Sequence, residues 1–279
     1  MGQAVGLRLR RHGAVVRTSL DGRSARTRAL AAEAGLDDAG TLPELVMDSE
    51  VLLSIIPPAQ AVVLARAVAE AMRATGAHPL YVDCNAVAPS TMREIAVIVG
   101  ADVVDIGIIG APPRGDADTR FYSSGRQAAQ LRLPGLDVRS IGAEIGTASA
   151  LKMCYAALTK GFTALATELL VAAELQGVAE ELAAEIDTSQ PTQGEIMARQ
   201  IPRVPSVAHR WIGEMEEIAK TFAELGLTPR ILEGAAEMYR FAAASPLGAE
   251  RPETRDRSRG MRETIAALAR AATESVGQR

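Results

Sequence analysis

Val103–Ile109 reads VVDIGII, an apolar run interrupted only by Asp105 and Gly107 and closed by Gly110. A short, nearly continuous run of this kind suits a strand buried on both faces. Residues 14–18 (AVVRT), 51–56 (VLLSII) and 80–83 (LYVD) have the same character, each bounded by Gly, Pro or Asp. Between them, 23–34, 60–75 and 90–99 carry apolar residues at three- and four-residue spacing, the mark of amphipathic helices. The alternation predicts a parallel sheet with crossover helices. Residues 119–124 and 138–141 add two edge or mixed strands.

Strand signals stop near residue 145. Residues 149–176 form one long helical pattern of Ala, Leu, Met, Thr and Glu, with Gly177 as its C-cap. Further helical patterns occupy 180–186, 207–225, 229–243 and 261–276, while 251–262 reads as a charged, solvated loop. The expected organisation is an α/β domain over 1–144 and an all-α domain over 145–279.

Composition narrows the function. At 48% hydrophobic and 23% charged, the 279 residues describe a folded, water-soluble chain. Thirty basic against 34 acidic side chains give a net charge of -4, which argues against nucleic acid as a partner. The apolar stretch 51–64 contains Pro57, Pro58 and Gln60 and falls short of the roughly 18 unbroken apolar residues of a spanning helix, so no membrane partner is expected. Cys84 and Cys154 are too few for a disulfide framework or a thiolate zinc site, and both read as small core residues. His12, His78 and His209 lack metal-ligand spacing. A reducing cytoplasm is the expected compartment, and MGQAVGLRLRRHG at 1–13 does not read as a secretory signal.

Doubly wound sheets bind ligands at the carboxyl ends of their strands, where a glycine turn brings phosphate to a helix N-terminus. The opening residues, MGQAVG, read as the helix that follows the first strand of a Rossmann-type dinucleotide-binding unit. That strand is absent from the sequence pattern. Gly2 would be the last glycine of G-x-G-x-x-G, its first two glycines lying before Met1. After the next strand comes Ser19-Leu20-Asp21-Gly22-Arg23-Ser24-Ala25-Arg26. Arg23 and Arg26, with Ser19 and Ser24, suit the 2′-phosphate of NADP, while Asp21 keeps NAD open. The alternative is an ordinary helix start capped by Ser24.

The order of helix, basic cluster, VLLSIIPP, VDCNAVAP, VVDIGIIGAPP and GAEIGTASALK resembles the β-hydroxyacid dehydrogenases, which include 3-hydroxyisobutyrate and 6-phosphogluconate dehydrogenases. It looks nearest to a phosphogluconate-dehydrogenase-like branch with its own C-terminal domain. The similarity runs from Gly2 into RWIGEMEEIAKTFAELGL at 210–227. It implies a helical domain that forms a homodimer interface, and hydride transfer between a nicotinamide and a small hydroxy acid or related carbonyl. The family motif G-x-x-G-x-G-x-x-x-K-x-x-x-N, aligned on Lys152, keeps Gly146 but has Ala143, Ala148 and Ala156 at its other fixed positions.

Lys152 is notable on chemical grounds as well. The chain has three lysines, Lys152, Lys160 and Lys220, against twenty-seven arginines. Arginine stays protonated at any working pH, whereas burial can bring a lysine toward neutrality and make it a proton shuttle. Lys152 is therefore the expected general acid/base, with a snorkelling surface lysine as the bland alternative. Lys160 reads as structural or as a secondary substrate contact.

The resemblance implies further roles. The family's substrate segment becomes Asp105-Ile106-Gly107-Ile108-Ile109-Gly110-Ala111, with Ile109 at the serine position and Gly107 and Gly110 keeping the turn. Asn85, in DCNAVAP, would contact cofactor or substrate, and Pro57 and Pro58 would lie along the cofactor. The family's K-D-L becomes Glu214-Met215-Glu216, which removes an expected cation, and His209 is a candidate cleft residue on the same helix. Tyr122, Ser123 and Ser124 read as edge-strand packing, with a cleft role as the alternative. The rival reading is a non-catalytic dimeric relative whose cofactor binding is impaired by the missing strand and glycine loop.

Overall fold

The computed structural model describes residues 1–100 and 102–276. It divides into two compact units, Met1–Met153 and Cys154–Arg279. The division falls inside a helix, later in the chain than the glycine turn at which composition shifts.

In the first unit, α1 (Gly2–Arg11) leads to β1 (Arg17–Thr18), α2 (Ala25–Glu33), β2 (Asp37–Asp38), α3 (Leu42–Met47) and β3 (Val51–Ser54). Then follow α4 (Ala61–Thr75), β4 (Leu80–Asp83), α5 (Pro89–Val99), β5 (Val103–Ile109), β6 (Arg120–Ser124), β7 (Asp137–Ser140) and α6 (Thr147–Ala156). The strands make two sheets, a parallel pair β1-β2 and a five-stranded sheet ordered β3-β4-β5-β6-β7. Only the β5–β6 pairing in that larger sheet is antiparallel. This is the expected Rossmann-like α/β architecture, with β1 reduced to two residues and the sheet broken between β1 and β3.

Two apolar layers sandwich the larger sheet. Leu52, Tyr81 and Val103 pack with Val68, Met72, Met92 and Ile95 of α4 and α5. Val82, Val104, Ile106, Ile108 and Phe121 pack with Val5 and Leu9 of α1 and with Leu131 and Leu133. Along β5, residues 104, 106 and 108 thus line one layer, and residues 103, 105 and 107 point to the other.

The second unit is helical. A π-helical turn, Ala157–Gly161, follows α6, so the single helix expected over 149–176 is interrupted before α7 (Phe162–Gln176). Next come α8 (Ala179–Ser189), α9 (Pro191–Gln200), α10 (Val204–Glu224), α11 (Arg230–Ala244) and α12 (Met261–Val276). The bounds of α12 agree with the sequence reading, and α7 closes at Gly177 in the left-handed conformation. Thr147–Gln176 is long and apolar enough by composition to cross a membrane. In the second unit, however, Ala164, Ala166, Thr167, Leu170, Val171 and Ala173 of α7 are buried in the protein interior. The 251–262 segment is largely exposed, as its charge suggests, and Arg259 within it pairs with Glu250.

Candidate functional site

Strand register assembles a polar row that no single motif announces. Ser54 pairs with Asp83, Asp83 with Asp105, and Asp105 with Ser124, so four polar residues share one face of four adjacent strands. None is more than 1% exposed. Buried polar atoms are costly unless bonded, and these are densely bonded. Asn85 donates its backbone N–H to Asp83 Oδ1 at 2.9 Å and its Nδ2 protons to Asp83 Oδ2 at 2.9 Å and Ser54 Oγ at 2.8 Å. Its Oδ1 accepts from Ile56 N at 2.7 Å.

Burial lifts the Asp83 carboxyl to about 7, Asn85 bonding pulls against that shift, and the nearby Asp105 adds to it. The Tyr81 hydroxyl lies in the same interior, where burial, and the nearby Asp83 after it, raise its pKa.

Asp105 performs a different task. Its Oδ2 accepts from Gly146 N at 3.1 Å, Ser149 N at 2.9 Å and Ser124 Oγ at 3.2 Å, and its Oδ1 accepts from Ser149 Oγ at 2.8 Å. Ser124 Oγ in turn accepts from Ala148 N at 3.0 Å. The backbone N–H groups of Gly146, Ala148 and Ser149 at the opening of α6 are therefore met by side chains of the sheet, as an N-cap would meet them. Burial raises the Asp105 pKa, and the bonds from Ser149, Ser124 and Gly146 oppose that shift. A carboxyl that accepts four bonds and donates none is best served by its ionised form.

One turn into α6, Lys152 extends from this anchored start. The side chain is half-buried, and Nζ donates to the carbonyl of Ile108 near the carboxyl end of β5. A Cβ on Gly107 would come within 2.6 Å of the Ala148 carbonyl oxygen and 3.1 Å of Lys152 Cβ. Glycine at 107 is what lets α6 lie against the strand. Gly110 ends the strand at φ +119, where an added Cβ would meet the Asp118 carbonyl oxygen at 2.6 Å. Ile109 is buried at 4% exposure between these glycines.

The other residues singled out in the sequence are spread more widely. Ser24 is the N-cap of α2, accepting from Thr27 N at 3.3 Å, and Ser19 Oγ donates to the Gly40 carbonyl at 2.7 Å. Arg23 and Arg26 are exposed in the segment that follows β1. Gly2 opens α1, where no side chain caps the helix, and a Cβ there would make only ordinary contact with Ile55. Pro57 is exposed and Pro58 half-buried as they open a 3-10 turn after β3. His209 is exposed on α10.

Cys84 is 8% exposed, and burial pushes its thiol well up. Cys154, read as core, is instead exposed, on the same outward side of the helical run as Leu151, Tyr155 and Leu158. Nothing in the sequence marks Ser54, and Ser124 reads there as edge-strand packing, because their place in the row depends on strand register.

The second unit has its own polar cluster. Lys160, within the π turn, pairs with Glu214 of α10, and the two side chains are 14% and 16% exposed. Its Nζ lies 5.7 Å from the centre of the Trp211 ring. Tyr239 packs edge-on against Trp211 at 5.2 Å and donates its hydroxyl proton to the Lys160 carbonyl at 2.7 Å. Lys160 is thus held by both ends of its own residue.

Comparison with known proteins agrees with this architecture. Residues 173–242 match a family described as a domain of unknown function, DUF1932. An uncharacterised 28.5 kDa protein in the 7S RNA 5′ region of Methanothermus fervidus is 28% identical over 184 residues, covering 64% of this chain and 69% of that protein. The conserved protein MTH1747, whose structure was found similar to 3-hydroxyacid dehydrogenases, superposes with a TM-score of 0.62 at 29% identity over 88% of this chain and 95% of its own. The fold is that of the 3-hydroxyacid dehydrogenase-like proteins. The 3-hydroxyisobutyrate dehydrogenase of Salmonella typhimurium shares it, with a TM-score of 0.64 at 16% identity over 96% and 95% of the two chains. So does Psf3, solved in complex with NADP+ and 2-OPP, with a TM-score of 0.59 at 18% identity over 96% of each chain.

Proposed function

We propose that this protein is a nicotinamide-dependent oxidoreductase acting on a small hydroxy acid or the related carbonyl compound, with Lys152 as its general acid/base. The observation that carries the reading is the Lys152 amine, half-buried and held at the carboxyl end of β5. That is the end of a doubly wound sheet where ligands bind. The shared fold with 3-hydroxyisobutyrate dehydrogenase and with an NADP+-bound protein supports the same class of chemistry.

The residues present fit a dinucleotide. The start of α1 has no side-chain cap, which suits a pyrophosphate, and the exposed Arg23 and Arg26 suit a 2′-phosphate. NADP is the preferred cofactor, with NAD the alternative. A nicotinamide held there would supply the hydride acceptor or donor. As general base, Lys152 would take the hydroxyl proton in the oxidising direction and, as general acid, return it in the other. The Ile108 carbonyl holds the amine in place, and Ile109 and Gly110 shape the turn beside it.

The exposed Tyr155, Leu158, Leu165 and Leu175 supply an apolar face for a homodimer, and the cytoplasm suits the free thiol of Cys154. A second reading, a non-catalytic dimeric relative with impaired cofactor binding, is favoured by the break in the sheet between β1 and β3. A titration with NADPH and NADH separates the two.

For the enzyme, a screen of small hydroxy acids and sugar acids should give turnover that Lys152→Ala and Lys152→Arg lower by about 100-fold or more, with cofactor affinity unchanged. Turnover within a few-fold of the parent protein removes Lys152 from the mechanism. Arg23→Ala with Arg26→Ala should weaken NADPH binding more than NADH binding.

A further inference from the structure

We infer that Asp105 is the positioning residue for Lys152, acting through the start of α6 from inside the sheet. Three observations combine. First, Asp105 is 1% exposed yet carries four hydrogen bonds, three of them to Gly146 and Ser149 at the opening of α6. A buried carboxylate is expensive to keep, so its retention at the centre of the sheet requires strong compensation. The donors that compensate it belong almost entirely to the segment carrying Lys152.

Second, the contact is doubled. Ser124, the register partner of Asp105 on β6, donates to the same carboxylate and accepts from Ala148 N. The helix start is clamped by two adjacent strands, besides the bond from Thr147 N to the Glu144 carbonyl in its own loop. Third, the clamp and the lysine share one strand. Asp105 fixes the helix two residues before Gly107, over which Lys152 Cβ lies, and three before Ile108, whose carbonyl receives Nζ. Strand β5 therefore sets both the origin of α6 and the end point of the lysine side chain. A shift in one must displace the other, because Gly107 leaves no slack between helix and strand.

Asp105 does not touch the reacting atoms in this arrangement. It sets where the amine stands, and its negative charge lies at the positive end of the helix dipole. Its weight in catalysis rests on the proposed role of Lys152, whereas its hold on Lys152 can be read without any substrate.

The chain's three lysines make that reading direct. The full chain, labelled with carbon-13 and nitrogen-15 lysine, gives three side-chain Cε–Nζ signals, assigned by Lys→Arg variants. Asp105→Ala should move the Lys152 signal toward that of a mobile lysine, and Asp105→Asn should move it part of the way. The Lys160 and Lys220 signals should stay in place, which a general loosening of the fold would not allow. A folded Asp105→Ala protein with an unmoved Lys152 signal overturns the proposal.

If circular dichroism finds Asp105→Ala unfolded, Ser149→Ala combined with Ser124→Ala takes its place. That pair removes the two hydroxyl donors and leaves the Gly146 and Ser149 amide bonds to the carboxylate. A smaller displacement confined to Lys152 supports the assignment, and no displacement overturns it. Failure of every substrate and both cofactors in the turnover screen would refute the dehydrogenase reading while leaving this result intact.

Discussion

The two units handle interior charge in opposite ways. In the first, Asp83 and Asp105 are buried side by side and are met by neutral donors from Asn85, Ser124, Ser149 and Gly146. In the second, charge is cancelled pairwise, Lys160 by Glu214 and Arg259 by Glu250. Dipoles that surround a carboxyl fix its geometry without a counter-charge, which is what a site needs. Ion pairs neutralise and hold helices together, which is what a scaffold needs.

The comparison can be broken most severely at Gly107. Gly107→Ala forces a Cβ against the Ala148 carbonyl and should cost about 3 kcal/mol, read as a lower urea midpoint. A stability unchanged from the parent would mean that α6 is free to lift from β5. Next in size is the second unit. Lys160→Met should cost about 2 kcal/mol, less than a fully buried pair because both partners retain some exposure, and Glu214→Leu in the same protein should restore much of it. Trp211, the only tryptophan, reports this through its fluorescence. A double variant no more stable than the single one would give the pair no shared role.

The third test uses pH. The Asp83 carboxyl titrates near 7 in the folded protein against 3.8 as the ordinary value. Its folded state holds a proton that the unfolded chain releases, so its contribution is full below pH 3.8 and is lost as pH rises through about 7. Asp83→Asn should flatten that decline when melting is followed from pH 4 to 8, at the midpoints that circular dichroism gives. An unaltered pH slope would assign the decline to other groups. The smallest effect belongs to Ser24→Ala, about 1 kcal/mol from loss of the α2 cap, by urea titration.

Much of this architecture is legible in the sequence. Apolar runs locate β3, β4 and β5, and helical spacing locates α4, α5, α10, α11 and α12. Elements without a hydrophobic signal escape such a reading: β2 is two aspartates, and α9 is polar and starts at Pro191. Helix α3 does carry a signal, because Thr41 and Glu44 form a capping box whose S/T-x-x-E spacing is visible in the sequence, though its short apolar stretch drew no helix assignment. The π turn is not visible, since helical periodicity does not reveal a local change of hydrogen-bond ring.

Within the candidate site, Lys152 stands out by its rarity among arginines. Gly107 reads as a turn glycine but owes its place to helix packing. Asp105 lies in the VVDIGII run, yet its bonds to residues 146 and 149 depend on a return of the chain that spacing alone does not encode.

The in-register row across β3, β4, β5 and β6 also bears on how the sheet assembles. If β5 slipped by one residue against its neighbours, Asp105 would turn into the layer formed by Val5, Leu9 and Phe121, far from any helix amide. A misaligned sheet would thus strand a carboxylate in hydrocarbon, at a penalty of several kcal/mol. The residue that anchors the lysine's helix in the finished protein would, during assembly, reject the wrong alignment of the strands.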